Sequence, residues 1–245
     1  MNAPRHVTRL ACALGLLCTA ALTGCATAAT SSEPPVTIGL GSDLDTASLQ
    51  GAAVDSGTTA GGAENIDTVM MVGDSITVGA TPSLEAQFDA LGLGHVIEAE
   101  SGKRMAVASP GNPSGASVTE DMVDVDEQDA DSEVWVVALG TNDIGQYSSP
   151  DEIAAAVNDV LAQVPDDAAV VWVDTHIRDR EDEAEEVNHI IRDRVARRGN
   201  AVIAPWSDYA TADGVLSGDD VHPTTDGSAW FAFVVADTVR DFLGR

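Results

Sequence analysis

From Thr68 onward, apolar positions fall into two alternating patterns. Short runs rich in β-branched residues stand at Thr68–Val72 (TVMMV), His95–Ala99 (HVIEA), Val134–Leu139 (VWVVAL), Ala169–Val173 (AVVWV) and Ala201–Ala204 (AVIA). Unbroken apolar runs of this length read as strands buried on both faces. Between them, the spacing predicts helices near 77–91, 150–163, 182–198 and 224–243. Residues 117–130 are acidic and weakly apolar, and give no clear period. Some ends are marked by their chemistry. Ser149-Pro150-Asp151-Glu152 has the order of a capping box, with Pro in the first turn. Arg197-Arg198-Gly199 places basic residues at the negative end of a helix and Gly as its stop. Strands alternating with helices predict an α/β fold: a five-stranded parallel sheet, helices on both faces, a three-layer sandwich over residues 67–245. Active sites of such sheets gather at the carboxyl ends of the strands.

The chain before this domain has a different texture. Arg5 and Arg9 precede an apolar stretch, Leu10 to Leu22, that is too short to span a bilayer. Leu22-Thr23-Gly24-Cys25 follows and resembles the lipobox of bacterial lipoproteins, which implies removal of residues 1–24 and lipidation of Cys25. The plainer alternative is a cleaved signal peptide with a chance Cys. Residues 25–66 are rich in Ala, Ser, Thr and Gly and read as a flexible low-complexity tether. Roughly 40 flexible residues have a span of about 35 Å, enough to hold a head near a membrane but off it. The expected location is the outer face of the cell membrane or the cell envelope.

Composition narrows the chemistry. Forty acidic residues stand against 12 basic ones, for a formal charge of -28. Such a surface repels nucleic acid and anionic headgroups. The three cysteines are Cys12, Cys18 and Cys25, so the domain has neither a disulfide nor a cysteine metal site.

Four short motifs lie where strands end. Gly73-Asp74-Ser75 follows the first strand and opens a helix, where free N–H groups and the helix dipole favour negative charge. A serine there suits attack on a carbonyl; the plainer role is a helix cap. Gly102 follows the second strand, and a glycine there lets a backbone N–H approach a reacting group. Gly140-Thr141-Asn142-Asp143 follows the third strand, offering a side-chain amide or simply a turn. Asp219-Asp220-Val221-His222-Pro223 precedes the last helix; a carboxylate and an imidazole three apart on a tight loop can sit side by side.

Together the four blocks resemble those of the SGNH (GDSL-like) hydrolase superfamily, in order and across the whole globular part. The resemblance implies a flavodoxin-like sandwich and a triad of Ser75 as nucleophile, His222 as base and Asp219 as orienting acid. It implies an oxyanion hole made by the N–H groups of Ser75 and Gly102 and the side chain of Asn142, with no metal or cofactor. Asp220 is a rival for the acid, disfavoured by the family spacing. Asp74 and Asp143 read as structural. Lys103, the sole lysine, and Arg104 are candidates to grip an anionic substrate or to pair with nearby acids. His176 and Trp206 are candidates to line the crevice. The expected activity is hydrolysis of short-chain acyl esters of envelope glycans or lipids. The opening Val-Gly-Asp-Ser-Ile-Thr and the closing Asp-x-x-His-Pro also resemble SGNH domains that accompany integral-membrane acyltransferases, which makes an O-acyltransferase the alternative. A catalytically inactive binding module is a third, remote reading, disfavoured by intact motifs.

Overall fold

The computed structural model describes residues 60–61, 63–125 and 132–245. The expected signal segment, Cys25 and most of the expected tether lie outside the described residues. Five strands form one sheet: β1 (Thr68–Gly73), β2 (Gly94–Ala99), β3 (Glu133–Ala138), β4 (Ala169–Val173) and β5 (Ala201–Ala204). Their order is β2-β1-β3-β4-β5, and every neighbouring pair is parallel. The helices are α1 (Ser75–Leu91), α2 (Gly115–Val125), α3 (Pro150–Leu161), α4 (Glu181–Arg198), α5 (Trp206–Ala210) and α6 (Thr225–Phe242).

The period of two along each strand divides the core. Val69, Met71, Val134, Val136, Val171 and Val173 face α1 and α6, where Leu84, Phe88, Phe231 and Val235 meet them. Met70, Val72, Trp135, Val137, Val170 and Trp172 face α2, α3 and α4, against Met122, Val157, Val187 and Ile191. The sheet is thus covered on both faces, as its unbroken apolar strands require. Strands β2 and β5 are the exceptions: β2 alternates exposed and half-buried positions and β5 half-buried and buried ones, because each forms an edge.

Two features differ from the sequence expectation. The unassigned acidic stretch begins inside helix α2, which buries Thr119 and Met122. Residues just before 67 also pack against the fold. The N–H of Ala60 donates to the Phe242 carbonyl at 2.8 Å, that of Gly61 to Asn200 Oδ1 at 2.8 Å, and Ala60, Ala63 and Ile66 join the core. Small side chains that read as linker composition fit here because they let backbone lie close against α6.

The capping box at α3 is present in a shifted form. Ser149 accepts from the Glu152 N–H at 3.4 Å, while the Glu152 carboxylate accepts from the Ser148 N–H at 2.8 Å, one residue before the cap. Among the described residues no helix is long and apolar enough to cross a membrane.

From β1 the chain adds β2 on one side and then β3, β4 and β5 on the other, so the strand order reverses between β1 and β3. A crevice opens at such a switch point, outside the carboxyl ends of the strands. The loops after β1 and β3 carry Ser75 and Asn142 into it.

Candidate active site

The turn after β1 is built around Asp74. It is the N-cap of α1, and its Oδ1 accepts from the Ile76 N–H at 3.0 Å. Ser75 is therefore the first residue of the helix, at its positive end. Gly73 is required by packing: a Cβ there would run into the Thr77 side chain. Gly102, after β2, has φ +77°, which a residue with a side chain adopts only at a cost.

The loop between α5 and α6 closes on itself. Ser217 N–H donates to the His222 carbonyl at 2.8 Å, and Asp220 N–H to the Ser217 carbonyl at 3.1 Å. That tight turn folds Asp219 back against His222. Asp219 Oδ2 lies 2.8 Å from His222 Nδ1. Its Oδ1 accepts from the N–H of His222 at 2.9 Å, the N–H of Val221 at 3.0 Å and the Ser217 hydroxyl at 2.8 Å. These bonds, led by the His222 N–H, hold the Asp219 carboxyl well below the usual carboxylate range. An ionised carboxylate can only accept, so Nδ1 carries the ring proton. Nε2 is then the acceptor, and Ser75 Oγ stands 2.9 Å from it. The relay is open to solvent: the His222 and Asp219 side chains are 46% and 52% exposed.

Asn142 sits in a short 3-10 turn after β3. Its Nδ2 donates to Asp74 Oδ2 at 3.2 Å and to the Lys103 carbonyl at 3.1 Å. One amide thereby ties the loop after β3 to the nucleophile turn and to the loop that carries Gly102. Asp143, in the same turn, is fully buried and receives the Arg104 guanidinium at 3.1 Å, the Met105 N–H at 3.0 Å and the Tyr147 hydroxyl at 2.9 Å.

The flanking candidates separate. Lys103 is buried, and its ammonium donates to Asn112 Oδ1 at 3.2 Å and to the Pro113 carbonyl at 3.1 Å. It secures its own loop. Arg104 pairs with Asp143 and lies over the Tyr147 ring. His176 is buried, its Nε2 takes no hydrogen-bond partner among the described residues, and burial lowers its pKa. Trp206 is 1% exposed and packs edge-on against Phe231. Asp220 turns away from the imidazole and pairs with Arg178 at 3.0 Å, its backbone at φ +62°. Sequence reasoning passed over Asp174 and Thr175. Both are buried at the end of β4, and Asp174 accepts from the N–H and hydroxyl of Ser207, each at 2.7 Å.

Burial pushes both Asp74 and Asp174 up to about 6. A carboxyl whose folded pKa is raised binds its proton more tightly in the folded state. Its contribution to stability is present below the unfolded value, near 4, and is lost as pH rises through about 6. Asp174→Asn keeps the acceptor for the Ser207 N–H and removes the titration. Measured by urea unfolding, the stability of Asp174→Asn relative to wild type is expected to improve by on the order of 1 kcal/mol between pH 5 and 7.5. A difference independent of pH would deny the raised pKa. The range stays above the isoelectric point, about 4.1.

The flavodoxin-like sandwich brings Ser75, His222 and Asp219 into hydrogen-bonding contact at its switch point, an arrangement that fits the class of α/β enzymes of acyl transfer. The model of the GDSL-like lipase/acylhydrolase family matches residues 71–230, and the chain belongs to that family, whose members are esterases or acyltransferases. Solved structures share the fold. The C-terminal catalytic domain of peptidoglycan O-acetyltransferase A from Streptococcus pneumoniae is 16% identical (TM-score 0.55), over 73% of this chain and 96% of that one. A carbohydrate acetylesterase family member from Sinorhizobium meliloti is 15% identical (TM-score 0.56), over 74% and 100%. A lipolytic G-D-S-L family member from Veillonella parvula is 18% identical (TM-score 0.56), over 69% and 96%. A search of curated proteins by sequence found no significant match.

Proposed function

We propose that the protein is a serine esterase that hydrolyses short-chain acyl esters, such as acetyl esters, of cell-envelope glycans or lipids. The observation that carries this reading is the unbroken relay from Asp219 through His222 to Ser75 Oγ at the start of α1. His222 Nε2 takes the Ser75 proton as Oγ attacks the ester carbonyl. The N–H groups of Ser75 and Gly102 stabilise the oxyanion, and the Asn142 amide joins them by giving up its bond to Asp74 or to the Lys103 carbonyl. His222 then gives the proton to the leaving alcohol, and the acyl group remains on Ser75. A water molecule, activated by the same imidazole, releases the acid and restores the serine.

The exposure of the relay favours short acyl groups, which need no long apolar channel. It also supports a second reading, O-acyl transfer to a glycan hydroxyl, with an integral-membrane acyltransferase as the donor's source. A half-exposed imidazole leaves room for an alcohol acceptor as readily as for water. p-Nitrophenyl esters of increasing chain length test the first reading, with the acyl-serine followed by mass spectrometry in water and with a sugar acceptor. Rapid release in water, fastest for acetyl, supports the esterase. Release only with the sugar, yielding an acylated sugar, supports the transferase. No acyl-serine with any ester refutes both.

The second proposal concerns place. A lipid on Cys25 would anchor the domain at the envelope, near acylated surface polymers. Cys25→Ser is expected to release the protein from the membrane fraction or to block its processing. Native protein found wholly soluble, with an unmodified residue 25, would refute the anchor.

A further inference from the structure

A narrow cleft lies between the ends of β3 and β4 and the start of α1, with α5 and α6 behind it. Asp74, Thr141, Asp174, Thr175, Trp206 and Phe231 line it, and it has room for about one water-sized sphere. Its walls carry an imbalance of polar groups. The Trp206 indole Nε1 and the Thr175 hydroxyl are buried and take no hydrogen-bond partner among the described residues. Their residues are 1% and 2% exposed. An indole N–H only donates, and leaving it unpaired away from water is destabilising. The acceptors on the same cleft are the carboxylates of Asp74 and Asp174, 1% and 5% exposed. Each already receives protein donors, and each carboxylate has lone pairs to spare.

We propose that this cleft binds one ordered water molecule, which accepts from Trp206 Nε1–H and links Thr175 and Asp174 to Asp74 behind the nucleophile. A water has two lone pairs and two protons, and the cleft offers the donors and acceptors to use them. Buried waters are held in this way, by about three bonds to groups that otherwise lack partners. The consequence reaches the reacting atoms through Asp74. Asp74 orients both the Ile76 N–H at the start of α1 and the Asn142 amide. A water that fixes the Asp74 carboxylate from behind fixes the aim of both. Trp206 and Thr175 are therefore positioning residues, not catalytic ones. This last step rests on the esterase reading; the water site itself does not.

The test has two arms on the same protein. The first is a high-resolution crystal structure of the protein, joined by a water-selective NMR experiment on the Trp206 indole proton. The expected result is a density peak within hydrogen-bonding distance of Trp206 Nε1 and Thr175 Oγ1, and cross-relaxation of the indole proton with a long-lived water. An indole that donates directly to a protein oxygen, with no water peak, would overturn the site. The second arm is kinetic. Trp206→Phe keeps the ring packing and removes the donor; Thr175→Val removes the hydroxyl and Thr175→Ser retains it. Each of the first two is expected to lower kcat for an acetyl ester about three- to tenfold with KM unchanged, as a loss confined to the transition state requires, while Thr175→Ser restores it. Equal kcat in all three would overturn the positioning role. If wild type cleaves no ester, the esterase reading fails and the first arm still decides the water. If Trp206→Phe fails to fold, the Thr175 pair and the wild-type structure decide it.

Discussion

Ser75→Ala is expected to abolish ester cleavage, with a loss of at least about a thousandfold, while the fold stays intact. The expectation follows from what Ser75 Oγ does and does not touch. It meets His222 Nε2 at 2.9 Å and is only partly buried, so its removal leaves no cavity in the core. The N-cap of α1 is Asp74, not Ser75, so the helix keeps its cap. Unfolding by urea should therefore shift little, within about 0.5 kcal/mol, as for substitutions away from core and caps. Activity should fall to what the remaining donors at the helix start can sustain. Circular dichroism, urea midpoints and initial rates on p-nitrophenyl acetate measure both halves. Cleavage near the wild-type rate would remove Ser75 from its role. A collapse of stability with the loss of rate would mean that the serine holds the turn instead.

Much of this arrangement was legible from the chain alone, for identifiable reasons. The strands β1, β3 and β4 are buried on both faces, so they read as unbroken apolar runs. The motif residues stand at strand ends because the switch point of a parallel sheet gathers those ends. Other parts were hidden because their meaning depends on distant partners. Helix α2 buries only a thin stripe, so its acidic composition masks its period. Helix α5 has five residues, too few to show one. Asp174 and Thr175 belong to no motif, yet both are buried beside the site. Only the folded chain brings Ser207 to Asp174. Lys103 offers the same lesson in reverse. A lysine beside a catalytic loop suggests an anionic ligand or a nearby acid; Glu100 stands 3.8 Å from its ammonium, while its hydrogen-bond partners, Asn112 and Pro113, are ones no spacing rule would have paired with it.

Asp219→Asn is expected to reduce turnover by about tenfold to ten-thousandfold, and Asp220→Asn by less than about threefold. The two acids are neighbours in a tight turn, but the turn sends them opposite ways. Asp219 receives the His222 ring N–H at 2.8 Å and three further donors, which fix both its charge and its direction. An asparagine there can present its NH2 to Nδ1, which favours the tautomer with the proton on Nε2. That tautomer cannot accept from Ser75. The low end of the range applies if the amide oxygen turns toward the ring instead. Asp220 faces Arg178, and both side chains are more than a third exposed. Exposed ion pairs contribute about 0–1 kcal/mol, so losing this one should move the catalytic loop little. Asparagine also tolerates the left-handed backbone that Asp220 adopts, so the substitution removes charge without new strain. Turnover measured at pH about 8, above the ordinary imidazole range, keeps protonation of the base from mixing with its orientation. A greater loss for Asp220→Asn than for Asp219→Asn would transfer the role of orienting acid to Asp220 and require the loop to refold around it.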